Sequence, residues 1–296
     1  MTREPLTICR THAAFATLVC ALLVGAGCSR AVDSPTGPSP GDTVGYSAIG
    51  ASDGIGFGGT VPCVPFTECP NGTGYVQRLG RRLQERGSVS LLNLSIPAAV
   101  LSPTIEAMGR DLGRTVPANF LERQAPFVAT GASVVTIFAG GNDSNILALS
   151  VRAGAGGGDV RGYLDAQIRQ WGDDYVTLVR RIRERAPNVR IVVLNLPNLA
   201  GAPYAVGESA ANRSVLQYIS VGLTDRTNAL TAQNVVVVDL LCRSDIYSAA
   251  NFSSDGFHPN DAGYALMAEA LWPYLLTGNA PPPPASCAAR TLAPAF

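Results

Sequence analysis

The sequence has no lysine: all 22 of its basic residues are arginine, balanced by 22 acidic residues. A Ser–Lys dyad and a Schiff-base lysine are therefore excluded. A net charge of zero gives no electrostatic footprint for nucleic acid. Histidine is nearly absent as well, with only His12 and His258 in 296 residues. A site with several histidine ligands is thus ruled out. No Cys-x-x-Cys spacing occurs, which argues against a structural zinc site. No apolar run reaches the length of a comfortable membrane span. The longest, AAFATLVCALLVGAG at 13–27, follows Arg3 and Arg10 and fits the core of an export signal.

That signal places His12 in a removable segment, leaving His258 as the only histidine of the mature chain. Gly25-Ala26-Gly27-Cys28 resembles a bacterial lipobox, although Gly25 stands where an aliphatic residue is usual. The expectation is a signal peptide over 1–27 and membrane attachment through a lipidated Cys28, in the periplasm or at the cell surface. Simple secretion is the alternative. Residues 28–42 are rich in Pro, Ser, Gly and Asp and read as a tether. Residues 277–296, with four prolines at 281–284, read the same way. Between them, 43–276 has no second linker and suits one domain. Cys63, Cys69, Cys242 and Cys287 remain after export, an even number for an oxidising compartment. Of the three possible pairings, the favoured one is Cys63–Cys69 locally, with Cys242–Cys287 pinning the tail.

Five short runs rich in Val, Ile and Leu predict buried parallel strands: 43–50, 88–94, 133–140, 189–196 and 234–241. Amphipathic stretches at 75–86, 161–186, 211–230 and 260–276 predict helices between and after them. This alternation predicts an α/β fold, a three-layer α/β/α sandwich around a central, mostly parallel sheet of about five strands. Segments 54–74, 98–130 and 144–160 read as loops. The Gly-rich AGAGGGD at 153–159 lacks both the P-loop lysine and the dinucleotide spacing, and reads as a flexible loop beside the site.

In such sheets, sites form at the carboxyl ends of strands. There the sequence places Ser52 after the first strand, Gly140-Gly141-Asn142-Asp143 after the third, and Asp255-Gly-Phe-His258 after the last. Serine needs a base to take its proton, imidazole suits that task, and a carboxylate on the other ring nitrogen fixes the tautomer. A tetrahedral oxyanion needs donors, for which Asn142 and the backbone N–H groups of Ser52 and Ala98 are candidates. Asp143 and Gly140 are read as supporting Asn142, and Asp261 as capping or starting the last helix.

GGND at 140–143 and DGFHPNDAGY at 255–264 resemble the SGNH/GDSL hydrolase superfamily over residues 43–276. Two blocks depart from its pattern. Ala51 and Asp53 flank Ser52 where Gly-Asp-Ser-Leu is usual, and Ala98 stands at the second-block glycine. The resemblance implies a carboxylic ester hydrolase acting through an acyl-enzyme, an esterase, lipase or carbohydrate O-deacetylase that needs no cofactor. Ser52, Asp255 and His258 would be catalytic, and the substrate a small-molecule, lipid or glycan ester. Three other readings compete. Gly50-x-Ser52-x-Gly54 fits an α/β-hydrolase elbow, but too little chain precedes it. Asp53, Asp143 and Asp255 suggest a metal-dependent phosphoesterase, but with one histidine. A non-catalytic glycan- or partner-binding lipoprotein on the same fold is the third.

Overall fold

The computed structural model describes residues 42–296. The expected signal peptide (1–27), Cys28 and the tether up to residue 41 lie outside the described residues. Five strands form one sheet: β1 (Val44–Ile49), β2 (Val89–Asn93), β3 (Val134–Phe138), β4 (Arg190–Leu194) and β5 (Val236–Val238). All four pairings are parallel and the order is β2-β1-β3-β4-β5. The fold is the expected three-layer α/β/α arrangement.

Strand residues alternate between two cores, as the two-residue period requires. Tyr46, Ala48, Val134, Val192 and Leu194 pack against α1 (Tyr75–Gln84) and α7 (Asp261–Leu271). Ile49, Val135, Ile137, Ile191 and Val193 face the other way. They meet α5 (Val160–Arg185) and α6 (Ala210–Asn228) through Trp171, Tyr175, Ile219 and Leu223. Interior strands are therefore buried on both faces and mostly apolar, with Ser47, Thr136 and Arg190 as buried polar exceptions, which is why they read as near-continuous runs. β2 is an edge strand and stays half-exposed.

The helix ends follow their capping residues. Asp159 accepts the N–H of Gly162 and Ser209 that of Asn212; Asn260 accepts those of Ala262 and Gly263. Asn260, not Asp261, caps α7, and Asp261 is its first residue.

Two helices lie inside the segment 98–130 expected to be a loop, α2 (Pro103–Asp111) and α3 (Phe120–Arg123), and α4 (Gly141–Arg152) runs into the one expected at 144–160. In α4 the buried set includes Asp143, Ser144 and Ser150, so polar residues occupy core-facing positions and blur the apolar pattern. Its length carries the chain about 18 Å away from the end of β3. The Gly-rich 153–159 turn therefore lies at the far end of α4, not beside the site.

The proline-rich tail is not a tether. Both expected disulfides are present, Cys63–Cys69 and Cys242–Cys287. Beyond Cys287, Asn198 Nδ2 donates to Ala289 O at 2.8 Å, and Gln217 exchanges two hydrogen bonds with the Ala293 backbone at 2.8 and 3.0 Å. Arg290 pairs with Asp225 at 2.7 Å. Polar side chains of α6 and its preceding loop satisfy the tail's backbone, a relation that local composition does not record.

Candidate active site

β1 is the second strand of the sheet, and its neighbours on either side are β2 and β3. The chain turns in opposite directions after β1 and β3, which opens a crevice at their carboxyl ends. Ser52 begins the 3₁₀ turn Ser52–Ile55 directly after β1, and Asn142 is the second residue of α4 directly after β3. Gly140 joins β3 to α4 with φ of +111°, and a Cβ there would stand 3.1 Å from Leu196 Cδ2. A side chain at 140 is thus opposed by both backbone and space.

Ser52, almost fully buried at 6% exposure, places Oγ 2.8 Å from His258 Nε2. His258 Nδ1 lies 2.6 Å from Asp255 Oδ2. The other Asp255 oxygen accepts the Ser253 hydroxyl at 2.7 Å and the N–H groups of Phe257 and His258 at 2.9 Å each. Burial alone would raise the Asp255 carboxyl. The hydrogen bonds from His258, Ser253 and Phe257 outweigh it and hold the group well below the usual carboxylate range. Hydroxyl, imidazole and ionised carboxylate therefore stand in one line, the arrangement by which a base draws a proton from serine.

Asn142 donates one amide hydrogen to Ala99 O at 2.9 Å, tying α4 to the loop after β2. Ala98 lies in that loop with φ of +61°. The left-handed region disfavours a Cβ, which is the physical reason for a glycine at this place. Among the described residues, the N–H groups of Ser52 and Ala98 donate to no other protein group.

Asp143 is fully buried, with partners on the loop after β2 and on α5. Its Oδ1 accepts Leu101 N–H at 2.9 Å and Trp171 Nε1–H at 3.0 Å. Burial pushes its carboxyl up to about 6, against those two hydrogen bonds. Asp53 follows the serine and lines a cavity of about 60 Å³ with Phe138, Leu196, Leu240, Phe257 and Met267. Burial raises its carboxyl too, against the pull of His258. Ser52 and His258 do not line this cavity. Among the described residues, no three His, Cys, Asp or Glu side chains are placed to hold a metal ion.

Two supporting side chains escape the sequence reading. Gln124, fully buried beyond α3, donates to Gly50 O and accepts Gly50 N–H, both at 2.9 Å. It thereby clamps the backbone two residues before Ser52. Phe57 sets its ring 4.7 Å from that of His258, while Phe257 meets the same ring at 4.9 Å. No local pattern announces Gln124. For Phe57 the available signal is its position, five residues after Ser52.

A family model for GDSL-like lipases/acylhydrolases matches residues 48–266, from β1 into α7. The chain belongs to the GDSL-like lipase/acylhydrolase family. Its solved structural relatives share the fold at low identity. The extracellular lipase of Streptomyces rimosus superposes with a TM-score of 0.56 at 18% identity, over 79% of this chain and 100% of that one. Phospholipase A1 from Streptomyces albidoflavus gives 0.54 at 15% identity, over 78% and 99%. The lipase Lip_vut3 from a goat rumen metagenome gives 0.52 at 23% identity, over 78% and 96%. No curated relative matches the sequence significantly. Membership makes the α/β/α fold a GDSL-type hydrolase fold and puts all of the Ser52, Asn142, Asp255 and His258 positions within the matched span.

Proposed function

We propose that this hydrolase cleaves carboxylic esters through an acyl-enzyme on Ser52. The observation that carries the reading is the continuous Ser52–His258–Asp255 chain, with contacts of 2.8 and 2.6 Å. His258 Nε2 takes the Ser52 proton as Oγ attacks the ester carbonyl. Asp255 holds the Nδ1–H and stabilises the imidazolium. The tetrahedral oxyanion receives the N–H of Ser52, the remaining amide hydrogen of Asn142 and the N–H of Ala98. Collapse of the intermediate expels the alcohol, which takes its proton from His258. His258 then draws a proton from water, and hydroxide attack releases the acid and restores Ser52.

One structural relative is named an extracellular lipase and another a phospholipase A1, which supports esters of lipids as one substrate class. The two disulfides support an oxidising, extracytoplasmic location. A Cys28→Ser chain that moves from the membrane to the soluble fraction would support lipid anchoring; an unchanged distribution would oppose it.

The test is hydrolysis of p-nitrophenyl acetate, with Ser52→Ala alongside and fluorophosphonate labelling read by mass. Turnover lost by about 10⁴-fold in the variant, with the adduct mapped to Ser52, is the expected result. Full turnover by Ser52→Ala would overturn it.

A further inference from the structure

Seven large hydrophobic side chains stand exposed among the described residues, and four of them fall within ten positions of one loop: Phe57, Val61, Val64 and Phe66. Val64 and Phe66 are each 66% exposed. This loop leaves the Ser52 turn directly and is held rigidly on its inner side. Cys63 N–H donates to Ile55 O at 2.8 Å, and Cys63 is bonded to Cys69. Thr60 donates its N–H and hydroxyl to the two Asp261 oxygens at 2.8 and 2.6 Å. The Tyr264 hydroxyl donates to Phe57 O at 2.6 Å, and Arg81 donates to the carbonyls of Pro70 and Gly72.

A loop so pinned does not fold its apolar tips back into the core. Phe66 even adopts φ of +62°, an unfavourable conformation for a bulky residue. A fixed display of apolar side chains in water marks a surface that meets another apolar body. Its place says which one. The display is continuous with the site through Phe57, whose ring packs on His258. A globular partner seated there would cover the approach to Ser52, whereas a lipid surface would supply esters along it. From Phe57 to Gly74 the only charge is Glu68, with no arginine. This suits a zwitterionic or neutral surface, not one recognised by charge.

We propose that the disulfide-closed loop of residues 57–70 docks on a lipid–water surface and brings aggregated lipid esters to Ser52. The inference deepens the esterase reading and rests on it for the substrate, though not for the docking itself.

The experiment pairs binding with turnover, comparing the native loop with Val64→Asp/Phe66→Asp in one Cys28→Ser background. Residues 1–27 and any acyl anchor then contribute equally or not at all. On phosphatidylcholine vesicles the double variant should partition at least about tenfold less. On tributyrin, the native loop should gain rate above the solubility limit and the variant should not. Both should cleave monomeric p-nitrophenyl acetate equally. A Phe66→Trp chain should shift its emission to the blue on vesicles and be quenched by brominated lipid. Equal partitioning of the native loop and the variant would overturn the proposal, as would unshifted emission from the Phe66→Trp chain or a solution dimer broken by the two aspartates. Vesicle docking without turnover of any ester would overturn the esterase reading alone.

Discussion

The carboxylate of Asp143 accepts the backbone N–H of Leu101 at 2.9 Å, 42 positions earlier in the chain. The bond joins α4, which carries Asn142, to the loop that carries Ala98. Because Trp171 donates to the same oxygen, the two candidate oxyanion donors are referenced to one buried point on α5.

That point is pH-sensitive. The folded Asp143 carboxyl sits near 6, above its ordinary value, so the fold binds its proton more tightly than the unfolded chain does. Ionisation therefore costs stability at pH above 6, by up to about 3 kcal/mol, and the cost fades as pH falls from 6 towards 4. Asp53 has the same sign. Asp255, lowered, stabilises the fold above its unfolded value near 4 and acts only below that window. Asp143→Asn keeps an acceptor for Leu101 and Trp171 and removes the charge. Melting curves from pH 4.5 to 8 should show the variant gaining on the wild type as pH rises towards 6, with the difference constant above it. A constant difference over the whole range would refute the account.

Ala98 holds φ of +61° with a Cβ. Ala98→Gly keeps the N–H and relieves the backbone. Relief of about 1 kcal/mol, partly offset by the freer unfolded chain, should leave a small gain in melting temperature. Ester turnover should remain near wild type. A large loss of turnover would mean that the methyl group itself shapes the pocket.

His258→Ala should lower kcat by about 10⁴-fold with an unchanged melting temperature. Asp255→Asn should cost less than that, because Asp255 is exposed enough for water to reach the His258 ring. Steady-state kinetics on p-nitrophenyl acetate reads both. An equal loss in the two variants would show that the carboxylate cannot be replaced in holding the tautomer.

Gln124→Leu leaves the buried N–H of Gly50 without an acceptor, at a cost of about 1–3 kcal/mol. Since Gly50 leads into Ser52, kcat should fall with KM little changed. Chemical denaturation and kinetics together decide it, and a loss of stability with full kcat would confine Gln124 to a structural role.

Opening Cys242–Cys287 by Cys287→Ser should cost about 2–4 kcal/mol from a crosslink spanning 45 positions. The tail's bonds to Gln217 and Asn198 should then loosen, read as faster amide exchange over 285–296. Unchanged exchange would show that the α6 contacts hold the tail unaided.

Legibility of the fold followed the kind of force at work. Interior strands such as β4 are buried on both faces, so burial alone writes them as apolar runs. α5 and α7 show one apolar stripe and a polar cap. α4 does not, because Asp143, Ser144 and Ser150 are buried with particular partners or in particular niches and not by hydrophobicity. The tail, dominated by proline and alanine, carries no sign of the glutamine and asparagine that receive it.

The same division holds at the site. Ser52, Asn142, Asp255 and His258 were legible from the sequence because each sits at a strand end or in a short turn, and three residues suffice to bring Asp255 to its imidazole. The α/β alternation and both cysteine pairs rest likewise on local pattern and chain length. What only the tertiary structure decided is the contact of Ser52 with a histidine 206 positions away, the Gln124 clamp on Gly50, and the exposure of Val64 and Phe66. These depend on how layers pack. A hydrogen bond between distant residues leaves no period in the sequence, and an apolar side chain reads the same whether the fold buries it or holds it in water.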